Sequence, residues 1–158
     1  MSVSQVPATD PFHDDPDPET GYNRLWINLL RVQRSTMARV ARELRAHGIG
    51  DPLWSEILVQ LDRAGEAGIV MSELEQRLMC PQYSLSRHIA RMEELGYVRG
   101  AGAKGPGRAK KVTLTPEGRA KMNEIDPIFS HIMQQEFSTR LSTEEAYDMV
   151  RYLIRLYP

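Results

Sequence analysis

The stretch that decides the fold of this 158-residue chain is residues 82–118, QYSLSRHIARMEELGYVRGAGAKGPGRAKKVTLTPEG. Apolar residues recur at helical spacing in its first third, which predicts a helix over residues 82–95 with one face turned toward a core. A glycine follows, and β-type patterns then occur at residues 97–99 and 111–114. Because a loop of glycines and cations separates these two patterns, the sequence predicts a β-hairpin.

Helical patterns also precede and follow this stretch. Two pairs, Asp51-Pro52 and Thr115-Pro116, are typical helix starts, with the first residue as the N-cap and Pro at the first helical position. Capping boxes, in which a hydroxyl and a carboxylate each satisfy a free backbone N–H, are predicted at Ser72 with Glu75 and at Ser142 with Glu145. A bend is expected at Pro127, which lacks an amide donor. With residues 82–95, the predicted helices cover residues 22–46, 52–63, 72–79, 116–140 and 142–156.

Charge is distributed unevenly, although the formal net charge of the whole chain is only −1. Residues 1–20 hold five acidic residues and no Lys or Arg, whereas residues 82–111 hold seven Lys or Arg residues against two acidic ones. A contact with nucleic acid is expected in the basic middle. Residues 1–19 offer few large apolar groups to bury, and they are predicted to be a disordered acidic tail.

Composition disfavours several functional classes. No apolar run approaches the roughly 18 residues of a membrane span, and the N-terminus is unlike a secretory signal, so we expect a cytoplasmic protein without a membrane partner. Cys80 is the single cysteine, and the four His residues lack metal-ligand spacing. Gly100, Gly102 and Gly105 match the dinucleotide fingerprint, but a strand pattern follows where that site needs a helix. We therefore predict no metal, no cofactor and no enzymatic activity.

The polar face of the predicted helix over residues 82–95 has the chemistry needed to contact DNA. A helix of this length fits the major groove, about 12 Å wide, with its first residues at the base edges. The cations of the hairpin loop can reach the phosphate backbone or the minor groove. A solvated amphipathic helix and an ordinary surface loop are the alternative interpretations. The predicted DNA-binding residues are Gln82, Tyr83, Ser84, Ser86, Arg87, Arg91, Lys104, Arg108 and Lys110.

Two motifs resemble the MarR family of winged helix-turn-helix transcription regulators. Residues 84–99 are similar to the recognition helix of that family running into the first wing strand. Arg108, followed by LTPEG at residues 114–118, is similar to its wing signature. The resemblance covers roughly residues 20–158, and the two motifs together are more specific than either alone.

The resemblance implies roles for individual residues. Arg108 matches the wing arginine that enters the minor groove, and Ser84, Ser86 and Arg87 match positions that face the major groove. Pro106 is a departure, because the family usually has at that position an Asp that braces the wing. Pro fixes its own φ and can stiffen a turn.

The predicted fold is mainly α with a small β-hairpin wing. A winged helix-turn-helix DNA-binding lobe is expected at residues 51–115, and helices within residues 20–50 and 116–158 are expected to form a dimerisation module. The predicted function is a sequence-specific double-stranded DNA-binding transcription regulator, a ligand-responsive repressor that binds a pseudo-palindromic operator as a homodimer. Two recognition helices of such a dimer would lie about 34 Å apart, one turn of DNA.

Three alternatives stay open at this point: a winged helix that binds protein in place of DNA, a small enzyme with an unrecognised site, and a regulator in which Cys80 is a redox trigger. A small-molecule effector of unknown identity would bind between the dimerisation module and the DNA-binding lobe. Residues that could line that space are Trp54, Tyr22, Arg31 and Arg34, and Trp54 could equally be an ordinary core residue.

Overall fold

The computed structural model of the chain describes residues 12, 14, 15, 17, 19–102 and 110–157. Two compact units are distinguished, residues 1–39 and residues 40–158. The helices are α1 (Thr20–Ala46), α2 (Leu53–Ala64), α3 (Met71–Leu78), α4 (Gln82–Glu94), α5 (Pro116–Ser138) and α6 (Thr143–Leu153), with a 3-10 turn at Gly65–Ala67. The strands are β1 (Ile69–Val70), β2 (Val98–Ala101) and β3 (Lys111–Leu114). This order confirms the predicted fold class, mainly helical with a small β wing.

Local chemistry explains where several of these helices begin and end. Gly65 has φ +59° after the last turn of α2, in the left-handed region that favours glycine. The Thr115 hydroxyl accepts a hydrogen bond from the Gly118 N–H at 2.9 Å and caps α5, as predicted. The predicted capping box at the start of α6 is also confirmed, because Ser142 and Glu145 exchange both hydrogen bonds.

The predicted capping box at the start of α3 is wrong. The helix begins at Met71 with Val70 at the N-cap position, so Ser72 lies inside the first turn and makes no capping bond. The physical reason is a strand that the sequence pattern did not predict. β1 pairs with β3, and the Met71 N–H donates to the carbonyl of Lys110 at 3.2 Å, so α3 starts directly at the end of β1.

The start of α2 differs slightly from the expectation, whereas the predicted bend at Pro127 in α5 stays a prediction. α2 begins one residue later than predicted, yet the Asp51 carboxylate still accepts the N–H of Leu53 at 2.9 Å. α5 is assigned as one helix through Pro127. A Pro inside a helix removes one backbone hydrogen bond, and the flanking turns maintain the helix.

The predicted hairpin is part of a three-stranded antiparallel sheet in the order β1-β3-β2. Val98 lies opposite Leu114, and Ala101 lies opposite Lys111. β1 contributes only two residues, which are too few to give a period-2 pattern, and for this reason the sequence did not reveal it.

The second unit contains one hydrophobic core, to which α2, α4, the sheet and the start of α5 all contribute. Its most deeply buried side chains are Leu44, Ile49, Ile57, Leu58, Leu61, Leu74, Leu85, Ile89, Met92, Val112 and Ile125. The burial of Leu85, Ile89 and Met92 confirms the predicted inner face of α4.

Large apolar side chains are also exposed, and they are concentrated on two elements. On α1, described by itself, they are Tyr22, Leu25, Trp26, Ile27, Val32 and Met37. On α6 and the residues after it, they are Tyr147, Met149, Val150, Tyr152, Ile154, Leu156 and Tyr157. None of the described helices is sufficiently long and apolar to cross a bilayer.

Candidate nucleic-acid interface

The helix α4 separates its apolar and polar residues onto opposite faces. Leu85, Ile89 and Met92 are at most 1% exposed, and they hold the helix against the core. Because 3.6 residues make one turn, the positions between them point away from the core. Of the predicted contact residues, Gln82, Tyr83, Ser86, Arg87 and Arg91 are exposed and Ser84 is half-buried. The fold thus presents a continuous polar face along the first two turns of α4.

A tight turn joins α3 to α4 and fixes the start of this face. Met79 follows α3 in the left-handed conformation, with φ 48° and ψ 36°. The Cys80 N–H donates back to the carbonyl of Glu75 at 3.3 Å. Pro81 is the N-cap residue of α4, and its carbonyl accepts hydrogen bonds from the N–H groups of Ser84 and Leu85. The two helices and this turn form a helix-turn-helix.

The wing follows α4 directly in the chain and packs against it. The hairpin β2–β3 carries Arg99 exposed beside the buried Val98. Sequence reasoning counted Arg99 in the basic segment but did not select it as a contact residue, although strand alternation next to Val98 would have placed it outward. Lys104 and Arg108, which we predicted to contact DNA, and Pro106 all lie outside the described residues.

The predicted cations differ in how their charge is balanced. Arg87 forms no ion pair within the described part of the chain. Arg91 pairs with Glu94 on the same helix at 2.7 Å, and Lys110 pairs with Glu93 at 2.7 Å. An exposed pair such as Arg91–Glu94 contributes little to stability, so Arg91 can exchange it for a phosphate. Among the described residues, Arg87 is therefore the α4 cation without an ion-pair partner, and it is available to an external anion.

Behind the polar face, α4 is attached to the core by a polar contact. The indole N–H of Trp54 donates to Nδ1 of His88 at 3.1 Å, and Nε2 of His88 lies 3.9 Å from the Asp51 carboxylate. The rings of Trp54 and Tyr97 meet edge to face, with centroids 6.4 Å apart. His88 therefore lies between the polar face of α4 and the core.

An open cavity of about 620 Å³ lies beside this contact. Its wall combines aromatic rings with basic groups: Trp54, Tyr97, His88, Arg87 and Arg91 line it, together with Asp51 and the backbone near Gly48 and Gly50. A wall of aromatic rings with a few polar groups is typical of a small-molecule site. Of the residues that we named as effector contacts, Trp54 lies at this cavity, and Tyr22, Arg31 and Arg34 belong to the other unit.

Cys80 lies in the turn before α4, half-buried, and its thiol donates to the carbonyl of Pro81 at 3.7 Å. No group of His, Cys, Asp or Glu residues in the described ranges is arranged to hold a metal ion.

A helix-turn-helix followed by an antiparallel wing defines the class of protein: the chain is a winged helix-turn-helix protein. Comparison with known proteins confirms the more specific resemblance predicted from the sequence, because residues 47–109 match the model of the MarR family. No curated protein matches the chain in a sequence search.

Solved structures share this fold. Sco3205, a MarR family transcriptional regulator from Streptomyces coelicolor in complex with DNA, is 20% identical with a TM-score of 0.74, over 85% of this chain and 87% of that one. AbsC, another MarR family regulator from S. coelicolor, is 25% identical with a TM-score of 0.71, over 85% and 90%. The organohalide-sensing regulator RdhR, in its 2,4-dichlorophenol-bound form, is 18% identical with a TM-score of 0.72, over 94% and 88%.

Proposed function

We propose that the chain is a transcription regulator that binds double-stranded DNA sequence-specifically through α4 and the wing. The observation that carries the proposal is the exposed polar face of α4, on which Arg87 has no ion-pair partner among the described residues. Hydroxyl and amide groups precede it on the same face, and these groups can bond base edges or phosphates. The DNA complex of Sco3205, which shares the fold, supports the same function here.

The proposed contact surface includes residues of both α4 and the wing. On α4 it comprises Gln82, Tyr83, Ser84, Ser86, Arg87 and Arg91. On the wing we propose Lys104 and Arg108, which lie outside the described residues, and we add the exposed Arg99. Lys110 was predicted as a further contact, but its pairing with Glu93 makes it a weaker candidate than the others.

We further propose that the active form is a homodimer on a pseudo-palindromic operator. The exposed apolar side chains of α6 and of the residue after it support this, because Met149, Val150 and Ile154 are each 45–49% exposed. A groove between α5 and α6, lined by Phe137, Tyr147 and Val150 among others, extends the same apolar surface. Contiguous exposed apolar surface of this kind marks an association site. The apolar side chains of α1 offer a second such surface.

Repression and its relief by an effector complete the proposal. Repression is favoured by the resemblance to the MarR family. The cavity beside Trp54 and His88 is the proposed effector site, because its aromatic and basic wall includes α4 itself. A ligand there would shift the position of α4 by differential affinity for two states. The 2,4-dichlorophenol complex of RdhR, a relative by fold, is consistent with an aromatic effector. We also propose that the protein acts in the cytoplasm, the location predicted from the sequence.

The experiment that tests DNA binding is fluorescence anisotropy of a labelled random duplex at 50 and 200 mM salt, concentrations between which phosphate-dependent affinity falls steeply. We expect the wild type to bind and to weaken with salt. Arg87→Ala and Arg108→Ala should each bind more weakly, and loss of one phosphate contact should reduce the log–log salt slope by about 1. Arg140→Ala is the matched control, because Arg140 pairs with Glu136 at the far end of α5. No binding of the wild type at low salt would favour the protein-binding alternative.

Sedimentation equilibrium tests the dimer. Val150→Asp places a charge in the apolar groove, and we expect it to convert dimers to monomers. Arg151→Asp, at the next position and exposed, should leave the dimer intact. A monomeric wild type would contradict the dimer without contradicting DNA binding.

A further inference from the structure

Glu93, in the last turn of α4, contacts both sides of the wing. Its Oε1 accepts a hydrogen bond from the backbone N–H of Gly100 on β2 at 2.7 Å. Its Oε2 accepts one from Nζ of Lys110, the residue just before β3, also at 2.7 Å. One carboxylate therefore joins the helix to the two chain segments from which the wing loop departs.

The lack of a side chain at Gly100 leaves room for this contact. A Cβ built on Gly100 would lie 2.1 Å from Cε of Lys110 and 2.4 Å from Oε1 of Glu93. The absent side chain is thus what allows the carboxylate and the ammonium group to meet over the strand. Both displaced atoms are ends of flexible side chains, so an alanine would push them apart without unfolding the sheet.

The contact contributes more to geometry than to stability. The side chains of Glu93 and Lys110 are 29% and 43% exposed, and partly exposed ion pairs contribute little net free energy. Hydrogen bonds to a charged carboxylate are nevertheless short and directional. They add two fixed contacts between α4 and the wing to the packing of Val98 and Val112 in the core.

We propose that Glu93 is a positioning residue for DNA recognition, which holds the wing at the angle where the wing and α4 engage one duplex. This inference rests on the proposed function, since the angle matters only if both elements contact the same DNA. It also assigns Lys110 to the support of the wing, in place of the phosphate contact predicted from the sequence.

Whether removal of Glu93 weakens or tightens DNA binding distinguishes a positioning role from simple electrostatic repulsion. A carboxylate near a DNA-binding surface repels phosphate, so its removal by charge alone would tighten binding. Loss of a positioning residue would weaken binding in spite of the favourable change in charge. Glu94 supplies a matched control, because it is the next residue, it is exposed, and within the described ranges its ion-pair partner is Arg91 on its own helix.

The test compares Glu93→Ala, Glu93→Gln and Glu94→Ala in the anisotropy experiment, with melting temperatures measured in parallel. We expect Glu93→Ala to weaken DNA binding by about tenfold, because a wing no longer held by these charge-assisted hydrogen bonds must be ordered when DNA binds. Glu93→Gln keeps an acceptor for Gly100 and should lie between Glu93→Ala and the wild type. Glu94→Ala should bind as well as the wild type or more tightly. Tightening by Glu93→Ala equal to that of Glu94→Ala would overturn the proposal.

A second measurement tests the hydrogen bond between Glu93 and Gly100 in the absence of DNA. In the free protein, the amide of Gly100 should exchange its proton about tenfold faster in Glu93→Ala than in the wild type, and at the wild-type rate in Glu94→Ala. Unchanged exchange in Glu93→Ala would overturn the positioning role whatever the DNA result. If exchange rises but the wild type binds no DNA, the proposed function has failed, and with it the role of Glu93 in recognition.

Discussion

The indole N–H of Trp54 donates to Nδ1 of His88 across 3.1 Å, and so connects α2, in the core, to the helix that bears the polar face. Because Trp can only donate, Nδ1 of His88 must be the unprotonated nitrogen. The neutral ring therefore carries its proton on Nε2, which lies 3.9 Å from the Asp51 carboxylate. This hydrogen bond thus fixes the tautomer of His88 and adds a polar link between α2 and α4 to the apolar packing of Leu85, Ile89 and Met92.

The first prediction concerns this bond. The ¹⁵N shifts of His88 should report the Nε2–H tautomer at neutral pH. Trp54→Phe should lower the free energy of unfolding by about 1–3 kcal/mol, because it leaves the largely buried Nδ1 without a donor. Urea denaturation measures the change. Tyr83→Phe removes a polar group from a side chain that is 79% exposed, and it should change stability little. A Trp54→Phe protein as stable as the wild type would contradict the role of the bond.

The second prediction concerns Gly118, the last residue of the LTPEG motif. A Cβ on Gly118 would lie 1.9 Å from the carbonyl oxygen of Tyr97, and that oxygen belongs to the backbone and cannot rotate away. We expect Gly118→Ala to destabilise the protein by about 3 kcal/mol or more, as overpacking against a fixed group does. Gly102→Ala is the control, since nothing lies within 4 Å of a Cβ there. Equal melting temperatures for the two variants would refute this explanation of the glycine.

The third prediction is a substitution that stabilises the protein, whereas most substitutions destabilise. Met79 occupies the left-handed conformation at φ 48°, which costs a residue with a Cβ about 1 kcal/mol. Met79→Gly should therefore stabilise the protein, by less than that amount because glycine also gains freedom in the unfolded chain. Met79→Ala keeps the Cβ and serves as the control, with no gain expected. Denaturation midpoints measure the change in stability. Destabilisation by Met79→Gly would show that the contacts of the Met79 side chain contribute more than the backbone strain costs.

The fourth prediction concerns the pH dependence of α6. The backbone N–H of Ser142 donates to the Glu145 carboxylate and lowers its pKa, with a smaller contribution from the Ser142 side chain. A lowered pKa means that the stabilisation is fully present above the ordinary Glu value, about 4.3, and is lost as pH falls through the lowered pKa. Amide exchange in the first turn of α6 should therefore show weaker protection at pH 3 than at pH 6, after correction for intrinsic rates.

Glu145→Gln keeps an acceptor for Ser142 but does not titrate, so its protection should change less between the two pH values. Ser142→Ala should cost α6 about 1 kcal/mol at every pH. Thr143→Ala, one residue further and without a capping bond, should cost little. A pH response that survives in Glu145→Gln would assign the effect to another carboxylate.

Periodicity predicted the parts of the fold that depend on local sequence. The inner face of α4, Leu85, Ile89 and Met92, followed from helical spacing and is fully buried. The caps at Thr115 and at Ser142 followed from side chains that bond backbone groups three residues away. The capping box expected at Ser72 failed because a strand pairing with β3 fixed the start of α3 from a distance.

By itself, then, the sequence determined the helices, the wing strands β2 and β3, and the amphipathic face of α4, because those features arise from residues within a few positions of one another. Only the tertiary structure decided that β1 completes the sheet, that Trp54 holds His88 from 34 residues away, and that Glu93 holds Gly100 and Lys110. The physical reason is that hydrogen bonds and ion pairs between distant segments leave no periodic trace in the chain. They depend on which side chains the core brings within about 3 Å of each other, the distance at which such bonds form.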